Sequence, residues 1–185
     1  SYNNLMQVAV ARVDVKSFEY WLDVFEELEL RFSQKHLIMG VSLYWNAKKE
    51  EKMYEFIEKM KEKSVRLSMN VVHIILEFYM SEGNVEGAEK IIALMKENKL
   101  KAVFETYEIT MRGYLKSGHF DEVDRLFEEM FLNFQYQTIV ARTIMIDRFF
   151  QDNQVETALN IFQGMVAEHL PLSTDVFVTL IKGLG

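Results

Sequence analysis

The sequence predicts an all-α protein, an α-solenoid of stacked helix-turn-helix repeats. Three observations carry this. Met60, Met95, Met130 and Met165 stand 35 residues apart. Within each period, apolar residues recur at helical spacing in two separate stripes. The 185 residues include one proline, Pro171, and eight glycines, so few breaks are encoded. That scarcity favours helices over a many-turned β fold. A fixed period of about 20–50 residues marks a repeat architecture.

Rows of 35 residues start at Gln34, Met69, Phe104 and Ile139, spanning 34–68, 69–103, 104–138 and 139–173. An opening row ends at residue 33 and a half row, 174–185, follows. In the opening row, Met6 and Ala9 mark a first helix, and Phe18, Leu22 and Phe25 mark a second. The latter fall at i, i+4 and i+7, one helix face. Row 34–68 places Val41 and Tyr44, then Met53, Ile57 and Met60, at the same points. Lys48 and Lys49 stand where its two helices part, so this turn departs from the pattern. Row 69–103 has Leu76 and Tyr79, then Ala88, Ile92 and Met95. Between them Gly83 suits a left-handed helix end, and Glu86 suits the positive end of the next helix dipole. Row 104–138 repeats this with Met111, Tyr114, Gly118, Asp121, Val123, Phe127 and Met130. Row 139–173 uses Ile146, Phe149, Asn153, Glu156, Ala158, Phe162 and Met165, Asn being the next most tolerant left-handed residue. Ile181 and Leu184 continue the buried stripe in the half row.

One such helix pair cannot bury both of its apolar faces, but stacked neighbours can. The methionines are therefore core, their flexible thioethers filling gaps between hairpins. The run KKEEKMYEFIEKMKEK (48–63) mixes charge signs at helical spacing. It reads as a solvated helix face with Met53, Phe56, Ile57 and Met60 inward. Trp45 and Phe150 follow the aromatic stripe and pack at its edge. Phe131 and Phe134, in FLNFQYQT, are either packing residues or a self-association patch.

Hydrophobic residues make up 49% and charged residues 26%, a globular composition. There is no cysteine, which excludes disulfides, thiolate metal sites and a cysteine nucleophile. The net charge of −7 disfavours non-specific nucleic-acid binding. No apolar run approaches the ~20 residues of a membrane helix, and LIMGVSLYW (37–45) reads as buried helix. SYNNLMQ has no targeting character. A start at Ser1 and a stop at GLG predict a piece of a longer protein. No phosphate-cradling loop or nucleophile elbow is present. His36, His73, His119 and His169 lack metal-ligand spacing. The expectation is no enzyme activity, no cofactor and no metal.

The row TYEITMRGYLKSGHFDEVDRLFEEM (106–130) resembles a pentatricopeptide repeat. NVEGAEKIIALMKENKL (84–100), QVETALNIFQGMVAEHLPLS (154–173) and DVFVTLIKGLG (175–185) resemble parts of the same repeat. The spacing of 35 separates it from the tetratricopeptide repeat. The resemblance implies a right-handed superhelix, action in mitochondria or plastids, and binding of single-stranded RNA. It implies one base per repeat, chosen chiefly by the fifth and last residues of each row. The matched candidates are Asn3 with Ser33 and Thr143 with Ser173, and Glu108 with Thr138 is a further candidate pair in which Glu is unusual at the fifth place. His73 stands at a fifth place, paired with Val103, and Ile38 with Ser68 offers no base-reading pair. Val140 matches the small aliphatic clamp at a row's second place. Lys116 and Arg148 stand near enough for phosphate, although a solvated surface role is the expectation for both.

Along the groove face, Glu77, Glu105, Glu108, Asp147 and Asp175 oppose Lys35, Arg112 and Lys182. An RNA funnel leans the other way. Two readings therefore stand: an RNA-binding module acting in RNA processing, stability or translation, and a protein-binding scaffold of an organellar ribonucleoprotein or ribosomal assembly. Uncapped solenoid ends also predict homo-oligomers.

Overall fold

The computed structural model describes residues 2–185. Among the described residues there are eleven α-helices and no strand. They are α1 (Tyr2–Ala11), α2 (Val15–Glu27), α3 (Gln34–Asn46), α4 (Glu50–Glu62), α5 (Met69–Ser81) and α6 (Val85–Glu97). Then come α7 (Phe104–Lys116), α8 (Phe120–Phe134), α9 (Ile139–Gln151), α10 (Val155–Ala167) and α11 (Thr174–Leu184). The odd-numbered helices from α3 onward start 35 residues apart. The fold is an α-solenoid of helical repeats. It divides into two compact units, one ending at Ile75 and one running from Leu76 to Gly185.

The helix ends explain why the period is so strict. Val13, Lys48, Gly83, Gly118 and Asn153 all have positive φ, between 54° and 73°. The residue after each returns its N–H to a carbonyl five residues back: Asp14 to Ala9, Lys49 to Tyr44, Asn84 to Tyr79, His119 to Tyr114 and Gln154 to Phe149, at 2.8–2.9 Å. This satisfies carbonyls that a helix end leaves unpaired. The acceptor in every case belongs to the column Ala9, Tyr44, Tyr79, Tyr114, Phe149. The turn at Lys48 thus matches the others in backbone form, and only its residue type departs.

The second helices end alike. Leu30, Val65, Leu100 and Leu170 donate to the carbonyls of Phe25, Met60, Met95 and Met165 at 2.9–3.1 Å. The methionine column is therefore both core and cap. The exception is α8, two residues longer than the 13-residue second helices before it. Its left-handed residue is Gln135, whose N–H bonds Phe131 instead. Phe134 lies against Phe104, ring centroids 4.3 Å apart, which holds the two added residues. Of the two aromatics left open in FLNFQYQT, Phe134 packs, whereas Phe131 and Leu132 are exposed.

In the first unit, α2 packs with α1 and α4 with α3. Phe18, Tyr44 and Phe56 form an edge-to-face cluster with centroids 5.6–6.3 Å apart. Ion pairs Glu19–Lys52 and Glu26–Lys59 join α2 to α4. Both are partly open to solvent, which screens them and limits the stability they add. In the second unit, α8 packs on α7 and α10 on α9. One core cluster gathers Ile146, Ala158, Met165, Val176 and Leu180.

Two expectations need correction. Ile181 and Leu184 are 73% and 58% exposed. Ile146 and Met111, at the place of Ile181, and Tyr114, at the place of Leu184, are buried in helices that pair with a second helix, whereas α11 is the last helix described. In rows 69–103 and 104–138 the middle position of the second-helix stripe is also displaced by one residue. Ile91 and Leu126 are buried, while Ile92 and Phe127 are only half-buried.

Candidate nucleic-acid interface

Because α7, α9 and α11 start at equivalent places, residues 35 apart line up across them. In the second unit this alignment opens a groove of about 500 Å³. Leu115 and Ile144 form its buried floor. Val140, Thr143 and Ser173 line it, with Arg112, Lys116 and Lys182 as cations and Asp147 and Asp175 as carboxylates. Arg112, Lys182 and Asp175 make no ion pair among the described residues. The Lys116 ammonium donates to the Ser81 carbonyl at 2.6 Å, which fixes its position while leaving it in the groove. Asp147 accepts from the Gln151 amide at 3.2 Å.

The hydroxyls differ in what they have left to offer. Thr143 donates to its own helix, Oγ1 to the Ile139 carbonyl at 2.7 Å. Ser173 precedes α11 with no side-chain cap bond, and its hydroxyl is unused among the described residues. Ser173 therefore offers the groove a free donor and acceptor, as does Thr179, which also lines it and makes no side-chain hydrogen bond among the described residues.

Elsewhere the candidates are engaged within the protein. Thr138 Oγ1 donates to the Glu108 carboxylate at 2.5 Å and accepts from the Ala141 N–H at 3.0 Å. His73 is a buried residue of α5. Val103 is exposed ahead of α7.

Asn3 and Ser33 meet on His36, which sequence reasoning left unassigned. The Ser33 N–H lies 3.0 Å from His36 Nδ1 and the Ser33 hydroxyl 2.9 Å from it. A backbone N–H only donates, so Nδ1 is the acceptor and the ring proton sits on Nε2. Nε2 then donates to Asn3 Oδ1 at 2.8 Å. The ring is 2% exposed and lies against Phe25. Burial, with a smaller contribution from Lys35, lowers its pKa below the ordinary 6.5. The unfolded chain therefore takes up this proton first as pH falls. The contribution is whole above 6.5 and is lost as pH drops through the window below it. Thr106, at the matching place ahead in the chain, performs the task of His36 without titrating, its Oγ1 accepting the Val103 N–H at 3.2 Å. The expected result is that the urea midpoint of the wild type falls more than that of His36→Thr between about pH 7.5 and pH 5.5. Parallel declines in the two proteins contradict it.

Arg148 corrects an expectation. It is neither solvated nor placed for phosphate. It is 7% exposed and forks onto Asp124, Nε to Oδ1 at 2.9 Å and Nη2 to Oδ2 at 2.8 Å. Nη1 bonds Asp152 at 2.8 Å, and the guanidinium lies over Phe120 and Phe149. This is a tie between α8 and α9.

Among the described residues no cluster of three or more ligating side chains could hold a metal, and no helix is long and apolar enough to cross a membrane.

The model of the pentatricopeptide repeat domain matches residues 55–116, and that of the PPR repeat matches 105–133 and 140–170. Together they span more than half of the chain. The chain belongs to the pentatricopeptide repeat family. Among solved structures it is similar to the pentatricopeptide repeat protein PPR10 from maize, with 18% identity and a TM-score of 0.73. That likeness covers 98% of this chain and 26% of the other. It is also similar to PPR10 in complex with an 18-nt psaJ RNA element, with 15% identity, a TM-score of 0.65, and 98% and 32% covered. The chain thus spans a third or less of the solved pentatricopeptide protein. At these identities the likeness bears on the fold. No curated protein matches the chain significantly.

Proposed function

We propose that this pentatricopeptide chain binds single-stranded RNA through the groove between α7, α9 and α11. The observation that carries the reading is the convergence, in one groove, of the unused Ser173 hydroxyl, the aliphatic Val140 and the unpaired cations Arg112 and Lys182. A base has an aliphatic wall and a hydrogen-bonding edge there, and phosphates have cations on either side. The longer groove face leans acidic, but here three cations face two carboxylates. The similar PPR10 has been solved with an RNA element bound, and family membership supports the same ligand class here. The wider role consistent with the family is RNA processing, stability or translation in mitochondria or plastids.

Fluorescence anisotropy with labelled single-stranded RNA at ~50 mM and ~200 mM salt tests this, since phosphate-driven affinity falls steeply over that range. Arg112→Glu with Lys182→Glu is expected to weaken low-salt binding by more than about tenfold and to flatten the salt slope by about 1.4, at roughly 0.7 per phosphate. Binding that ignores this double reversal overturns the placement in the groove, and no binding at low salt overturns the RNA reading. A second reading, a protein scaffold, draws on exposed Phe131, Leu132 and Tyr136 at the end of α8. It gains if RNA does not bind.

A further inference from the structure

The groove takes in the candidate base-reading pair of one repeat and not that of the repeat before it. Glu108 and Thr138 lie 35 residues ahead of Thr143 and Ser173, at the same two places. The later pair lines the groove, and the earlier pair does not. What differs is the residue on the first helix. Thr143 turns its hydroxyl back onto the Ile139 carbonyl, so Ser173 stays free. Glu108 is longer and reaches across from α7 to accept a hydrogen bond from the Thr138 hydroxyl. The Ala141 N–H occupies the same oxygen from the other side. Thr138 then has no donor for a base and one acceptor position at most. The carboxylate that holds it brings negative charge within one helical turn of Arg112.

We propose that Glu108 shuts the nucleobase position next to the open one by holding the Thr138 hydroxyl, so that the second unit takes one base, at Val140, Thr143 and Ser173, rather than two. The inference rests on the RNA reading above and adds a specificity-determining residue to it. A charge-assisted bond between a carboxylate and a hydroxyl is among the stronger hydrogen bonds, so a base edge does not displace it readily. Phosphate near Glu108 is repelled as well.

Three variants separate the lock from the charge. Glu108→Thr copies the Thr143 arrangement and frees Thr138. Glu108→Ala frees Thr138 without a β-branched side chain. Glu108→Gln removes the charge but keeps an acceptor for Thr138. The probe is a labelled mixed-sequence pool of single-stranded RNA, read by anisotropy at ~50 mM and ~200 mM salt. The first two variants are expected to bind about three- to tenfold tighter than wild type at the higher salt, the gain of one added hydrogen-bonded base contact. Glu108→Gln is expected to gain at the lower salt only, since a purely electrostatic gain is screened. Equal behaviour of all three variants at both salts overturns the lock and leaves the RNA reading standing. Binding by Glu108→Thr where wild type fails supports the lock. No binding by any of the four proteins at low salt overturns both.

Discussion

Replacing Met130 by alanine is expected to lower the unfolding free energy by about 2–5 kcal/mol. The side chain is fully buried on α8, at the same place as Met60, Met95 and Met165. Removing it takes apolar surface out of a packed interior and leaves a cavity between hairpins. Partial collapse of the neighbouring side chains into the cavity moves the loss toward the lower end. The natural control is Ile181→Ala. It sits in a repeating apolar column yet is mostly exposed, so its effect stays within about 0.5 kcal/mol. Urea unfolding followed by far-UV circular dichroism is the suitable measurement, because both tryptophans, Trp21 and Trp45, lie in the first unit. Equal effects of the two substitutions contradict the buried register of the methionine column.

Gly87→Ala is expected to destabilise although alanine is the better helix former. Propensity alone favours alanine by about 1 kcal/mol. A Cβ at Gly87, however, stands 2.3 Å from two ring atoms of Tyr79. That ring is fully buried and cannot swing away. Overpacking of this kind costs about 1–3 kcal/mol, and here it outweighs propensity. Two companions fix the sign. Gly164→Ala, where a Cβ meets nothing within 4 Å, is expected to stabilise by up to about 1 kcal/mol. In a Tyr79→Leu background the penalty at Gly87 is expected to shrink or reverse. Thermal melts of the three proteins decide it, and a stabilising Gly87→Ala in the wild type refutes the contact.

The candidate site was only partly legible in the residues. Val140, Thr143 and Ser173 lie together in the groove, as their places in the row imply. Asn3 and Ser33 carry the same kinds of side chain at the same places, yet both hydrogen-bond His36. Residue type states what a side chain can donate or accept. It does not state whether a neighbour from another helix has already engaged that capacity. His36 gave no signal because its partners come from 33 and three residues away, and no single helical spacing joins all of them. Arg148 was misread for the same reason. A lone arginine after an apolar stripe looks solvated until Asp124 of the neighbouring helix is known to meet it.

By itself the sequence determined the class of fold and its period, and it marked three of the turns between paired helices. Those are local matters: apolar spacing within a helix, a glycine or asparagine at a left-handed end, an acid at a dipole. Even so, Val13 and Lys48 take the left-handed place with no preference for it. What imposes it is the column carbonyl that the next residue must satisfy. The tertiary structure alone decided which flank of each stripe is buried. Ile91 and Ile92 lie at nearly equal angles from the centre of their stripe, so periodicity cannot choose between them. The packing of α6 against its neighbours buries the first and leaves the second half-open. It also decided which hydroxyls stay free, because hydrogen bonds between helices are formed by proximity that no row of the sequence records.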